Sequence, residues 1–222
     1  NTYLHEVSAD VVQIVAGGTV AFEGDANSRY SMSNNDSGGT GGADSTSGNT
    51  LFGYLAGTAI ASGGLDNVLV GHKAGTAITT GDSNVCIGRK AGDNFDAESQ
   101  NVFIGSDAGG GAINGADQCV AVGAGALEGA ATQDGTIAIG YAALNALTSG
   151  GANIAIGMDA AKGIITGASN VIIGHQAFDQ ADGAENNNIA IGEAALGSAD
   201  NDAVVGNIAI GTGAMDATAD NA

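Results

Sequence analysis

The sequence contains no Pro, no Trp, two Cys and only five Lys and Arg in 222 residues. Each shortage excludes a class of protein. Five basic residues against 24 acidic ones leave a formal charge of −19, and such a surface repels phosphate, so nucleic acid is not an expected partner. No stretch approaches the roughly 18 apolar residues of a membrane-spanning helix, so no membrane insertion is expected. Cys86 and Cys119 are too few for a disulfide framework and lack the pairing of a zinc site. Collagen is excluded because Pro is absent and Gly does not fall at every third position. Aromatic residues make up 4% of the chain, too little bulk for the core of an ordinary enzyme domain of this length.

What is abundant is Gly, with 39 residues, beside an apolar share of 44% drawn mostly from Ala, Ile, Val and Leu. That share is too high for a disordered polar chain. Self-comparison shows why both are high. On the pattern Asn-Val-x-Ile-Gly-x-x-Ala, glycines align at 53, 71, 88, 105, 123, 140, 157, 174, 192 and 211, spaced 17 to 19 residues apart. Ten copies fill residues 49–222. Each opens with Asn49, Asn67, Asn84, Asn101, Asn153, Asn170, Asn188 or Asn207, except where Cys119 and Thr136 stand instead. Three residues past the Gly is Ala in every copy. The next residue is Gly in the first four copies and mainly Leu, Phe or Met later.

Two β-branched residues two apart mark a strand, and the Gly after them permits a sharp corner. Arcs of 8 to 10 residues rich in Asp, Thr, Ser and Gly separate the repeat cores and read as turns. One short strand and one corner per unit describes an all-β fold: a parallel β-solenoid of about ten coils. Residues 1–24 read as a small β-element that caps the rod, and residues 25–48 as a Gly/Ser/Asn-rich linker or irregular first coil. With nothing after the tenth copy, the chain is expected to be a segment of something longer.

The Val/Ile pair is expected to point into the coil, which turns the intervening residue outward. That residue is apolar in all ten copies: Leu51, Leu69, Cys86, Phe103, Ala121, Ala138, Ala155, Ile172, Ala190 and Ala209. An outward apolar column needs a cover. The expectation is therefore an inter-chain interface around a three-fold axis, with the chains closer together where the column is Ala; the alternative is an arc of the same chain folded back over the column. The Asn column is expected either to form a ladder of stacked amides or simply to tolerate a turn. The acids fall mostly in the arcs, as a solvated rim. No cofactor is expected, although Asp93, Asp96 and Glu98, or Asp200 and Asp202, are candidate calcium ligands. His72 and His175 lie six coils apart, too far to share a metal or a reaction. No nucleophile, base and orienting group converge, so the expectation is a non-enzymatic protein.

The copies Asn153-Ile-Ala-Ile-Gly157, Asn188-Ile-Ala-Ile-Gly-Glu-Ala-Ala-Leu196 and Thr136-Ile-Ala-Ile-Gly-Tyr-Ala-Ala-Leu144 resemble the head repeats of trimeric autotransporter adhesins. The same kind of repeat occurs in bacteriophage tail fibres. Asn1-Thr-Tyr-Leu-His-Glu-Val-Ser-Ala-Asp10 is similar to a β-rich stretch of marine phage tail fibres. The resemblance implies a left-handed parallel β-roll, three chains side by side, and a place in a virion fibre, outside the cell. Its partners would be further copies, other fibre or virion proteins and a host surface receptor. The alternatives are the head of a bacterial surface adhesin and an extracellular solenoid filament. The motif Ile-Gly-x-x-Ala-Leu also matches one face of the hexapeptide helix of acyltransferases, but it appears here once per coil rather than every six residues. The 17–19-residue period exceeds that of the adhesin heads and implies wider arcs.

Overall fold

The computed structural model describes residues 48–61, 63–112, 114–129, 131–181, 183–197 and 204–216, together with the backbone of four strands within residues 2–31. Those four are β1 (Thr2–Ser8), β2 (Val11–Ala16), β3 (Thr19–Gly24) and β4 (Tyr30–Ser31). They pair in sequence order as an antiparallel sheet. Apart from β4 and Gly48, the stretch 25–48 lies outside the described residues, as do Asp200 and Asp202.

Ten further strands, each of three residues, form one parallel sheet in sequence order. They are β5 (Thr50–Phe52), β6 (Val68–Val70), β7 (Val85–Ile87), β8 (Val102–Ile104), β9 (Val120–Val122), β10 (Ile137–Ile139), β11 (Ile154–Ile156), β12 (Val171–Ile173), β13 (Ile189–Ile191) and β14 (Ile208–Ile210). The register never slips: Val68 faces Val85, Leu69 faces Cys86, and Val70 faces Ile87, with the same correspondence at every step. This is a β-solenoid. Nine steps of about 4.8 Å put the first and last strands about 43 Å apart.

The corner Gly explains how so short a strand closes a coil. Its φ lies between 126° and 146° in all ten copies. A Cβ on Gly71 would stand 2.3 Å from the carbonyl oxygen of Gly88, and one on Gly140 would stand 2.2 Å from that of Gly157. Stacked corners therefore touch backbone to backbone, and no side chain fits.

Beyond the corner the described residues of the coils form no second sheet, only an isolated parallel bridge between Asn186 and Val205, yet the coils remain tied to one another. Gly57 donates its N–H to Ala74, Gly75 to Ala91, Leu127 to Ala143, and Leu196 to Ala214. Residues just before the opening Asn adopt left-handed backbone, including Asp66, Ser83, Gln100, Gln118, Ser169 and Asn187 at φ 56–62°. The polar short side chains of the arcs suit such turns. Each coil is thus a ring of turns with one flat side.

The flat side fixes inside and outside. Successive strand residues alternate faces, so Asn67 and Leu69 must share a face opposite Val68 and Val70. Asn67 and Leu69 are both completely buried. The column expected to face a neighbouring chain is therefore the core. Leu69, Cys86, Phe103, Ala121, Ala138, Ala155, Ile172 and Ala190 are 0% exposed, Ala209 is 2%, and Leu51 packs against the same core. The Val/Ile pair, expected inside, faces out.

The change in size along the core column is compensated within each coil, not by closer neighbouring chains. Leu51, Leu69, Cys86 and Phe103 lie over Gly57, Gly75, Gly92 and Gly109. A Cβ on Gly75 would meet Leu69 at 2.7 Å, and one on Gly109 would meet the Phe103 ring at 2.7 Å. In later coils Ala121, Ala138 and Ala190 leave room, and the buried Leu127, Leu144 and Leu196 occupy the matching position.

Candidate functional site: the outer sheet face and the interior ladders

The outer face of the sheet carries two parallel columns. One runs Thr50, Val68, Val85, Val102, Val120, Ile137, Ile154, Val171, Ile189, Ile208. The other runs Phe52, Val70, Ile87, Ile104, Val122, Ile139, Ile156, Ile173, Ile191, Ile210. Within the stack the second column is the more open, with Ile87 and Ile104 at 37% and Ile139, Ile156 and Ile173 at 36%. Ile208 and Ile210, on the last strand of the sheet, are more open still. Neither column contains a charged residue, although the chain as a whole carries −19.

The ten residues expected at an inter-chain interface, Leu51 through Ala209, contribute nothing to this surface. The parity error is physical in origin. β-branched residues favour strands whichever face they occupy, so their presence did not report burial. The buried Asn did report it, because its amide needs interior partners.

Those partners form a ladder. Asn49 Oδ1 accepts the backbone N–H of Asn67 at 2.8 Å, Asn67 Oδ1 that of Asn84 at 2.9 Å, and Asn84 Oδ1 that of Asn101 at 2.9 Å. Asn101 Oδ1 passes the contact to the Cys119 N–H at 2.8 Å. There the ladder stops. It resumes from Asn153 to Asn170 at 3.1 Å, then to Asn188 and Asn207 at 3.0 Å each. Each Nδ2 but the last meanwhile donates to an arc carbonyl, as Asn67 does to Gly81 at 2.8 Å and Asn153 to Gly167 at 2.7 Å, while Asn207 Nδ2 donates to Asn188 Oδ1 at 3.3 Å. The interruption has a visible cost: Thr136 Oγ1 is buried without a hydrogen-bond partner.

A second ladder, which the sequence reading missed, runs along the arcs. Asp82 accepts the Leu65 N–H at 2.7 Å, Asp117 that of Ser99 at 2.7 Å, and Asp134 that of Asp117 at 2.9 Å. Asn186 accepts from Ala168 at 2.8 Å. Some of the arc acids are therefore structural acceptors as well as a charged rim. The recurrence of Asp, Ser or Asn two places before the opening Asn was the available signal.

Of the candidate calcium ligands, Glu98 is already engaged: its carboxylate accepts the N–H groups of Asp96 at 3.0 Å, Ala97 at 3.1 Å and Gly115 at 2.7 Å. Among the described residues, no three His, Cys, Asp or Glu gather where a metal ion could sit. His72 stacks on Tyr54, with ring centroids 5.6 Å apart, and His175 Nδ1 lies 3.8 Å from Glu193 Oε1. Arg89 pairs with Asp107, and Lys90 lies 3.9 Å from Asp93. Burial raises both Cys thiols above their ordinary value, and the shift is large for Cys86, which stays in the unreactive protonated form. Burial also raises the Asp93 and Asp179 carboxyls; the neighbouring Lys90 and Lys162 oppose it, and nearby Asp side chains add to it.

A surface notch of about 210 Å³ opens beside Tyr141, where Ala124 and Gly125 leave space between Ser106 and Glu128. Glu128 accepts a hydrogen bond from Asn145 Nδ2 at 2.9 Å. Among the described residues, no helix is long and apolar enough to cross a membrane. The chain matches no family model, and no curated protein or solved structure is detectably similar to it. What the fold defines is a class: a single-chain parallel β-solenoid with one flat aliphatic face.

Proposed function

We propose that this chain is a non-enzymatic, structural segment of a virion fibre, which assembles with itself side by side as a homotrimer and holds a host-receptor-binding element away from the particle. The observation that carries the reading is the aliphatic face: an acidic rod that leaves a whole flat side apolar is built to be covered. The strict coil-to-coil register supports a mechanical role, because every strand is hydrogen-bonded to its neighbours and the corners allow no slack. The resemblance of the Asn-Ile-Ala-Ile-Gly copies to tail-fibre repeats directs the reading to a virion.

The same copies resemble adhesin heads, so a bacterial surface adhesin is the second reading. Immunogold electron microscopy with antibody raised against residues 49–222 separates the two. Label along fibres of phage particles is the expected result. Label on the bacterial envelope, with none on particles, would replace the first reading by the second.

A further inference from the structure

The outer sheet face is a continuous apolar surface, two side chains wide and ten strands long. Nineteen of its twenty side chains are Val, Ile or Phe, with Thr50 the exception. Together they expose on the order of 1,000 Å², more than the largest patch of a typical monomer and about the 800 Å² per partner that a standard interface buries. We infer that this face, and not the Leu51–Ala209 column, is where further copies of the chain dock, their stripes meeting along a common axis.

The inference rests on the self-assembling reading above and names its contact surface. Charge confines contact between copies to this face. Two copies of a −19 chain repel each other over most of their surface. The stripe is where they can meet without burying a carboxylate, which would be costly. Shape agrees. The face is flat and repeats at every coil, so the stripes of neighbouring copies can follow one another along their whole length. The strand edges between coils are already spent on neighbouring strands, which leaves the face as the open surface.

The full chain tests this by native mass spectrometry at micromolar concentration. Wild type should run as a multiple of 21.3 kDa. The double variant Ile104→Asp, Ile139→Asp should run as the 21.3 kDa monomer with unchanged far-ultraviolet circular dichroism. A short bismaleimide should join copies of Ile139→Cys and leave Thr166→Cys, on an exposed arc, unjoined. A monomeric wild type, an oligomer that survives both Asp substitutions, or an Ile139→Cys protein that does not cross-link would each overturn the inference. These results do not depend on where the protein resides. Assembly through the stripe combined with unlabelled virions would defeat the fibre reading alone.

Discussion

The first four coils and the last six solve one packing problem in opposite ways. In the first four, the strand supplies the bulk, through Leu51, Leu69, Cys86 and Phe103, and the turn supplies Gly57, Gly75, Gly92 and Gly109. In most later coils the strand supplies Ala and the turn supplies Leu or Met. The eighth coil, with Ile172 and Phe178, is large at both places and has the small, buried Ala181 further along. The seventh, with Ala155 and Ala161, is small at both and has the buried Ile164. The cross-section is conserved while the source of the volume moves. A solenoid requires that its coils stack in register, so each coil must fill its own interior.

The largest expected effect is common to both regions. Gly88→Ala and Gly140→Ala place a Cβ at 2.4 Å and 2.2 Å from the carbonyl oxygen of the next corner. Each should cost about 4 kcal/mol or more, or prevent folding, because backbone cannot step aside. Chemical denaturation should find the two equally damaging; a mild effect at either would show that corner to be looser than its twin.

Next comes the test of compensation. Gly109→Leu should cost roughly 3 kcal/mol, since the new side chain meets the Phe103 ring at a position with φ 57°. Adding Phe103→Ala should recover about half of that by making the coil resemble a later one. Leu144→Gly should cost a similar amount in the sixth coil, and there Ala138→Leu should be the rescuing change. Denaturation of both double-mutant cycles reads the coupling; additive losses would mean that the paired positions do not share space.

The ladder offers a smaller gain. The Cys119→Asn, Thr136→Asn double variant should join the two Asn runs and raise stability by about 1–3 kcal/mol, since it gives buried groups the partners they lack. Thermal unfolding at neutral pH measures it, and a lower midpoint would count against the ladder as a stabilising device.

The smallest effect is on pH dependence, and one group lies in each region. Asp93 and Asp179 have folded-state values raised mainly by desolvation. A carboxyl with a raised folded value binds its proton more tightly when folded. Its contribution to stability is therefore largest in acid, below the unfolded value, and is lost as pH rises through the raised one. Stability should rise on mild acidification, in the same direction as relief of the −19 charge, and Asp93→Asn with Asp179→Asn should flatten the slope slightly.

The sequence made the solenoid legible because the repeat names it: ten Gly corners, ten Ala residues and ten short strands recur at nearly fixed spacing. It also displayed the compensation, since Gly57 and its equivalents change to Leu where Leu51 and its equivalents change to Ala. What misled was treating Val68 and Val70 as core on chemistry alone. Parity counted from Asn67, whose amide must be satisfied, turns the strand the right way round. The arc ladder of Asp82, Asp117 and Asp134 was hidden because an exposed acid and an acid that accepts a backbone N–H look alike in composition.

Thiol labelling tests that orientation most directly, because Cys86 and Ile87 are neighbours assigned to opposite faces. In the Ile104→Asp, Ile139→Asp background, where association is removed, native Cys86 should stay unlabelled until the protein unfolds, and Cys introduced by Ile87→Cys should react at once. Prompt labelling of Cys86 with Ile87→Cys protected would contradict the account.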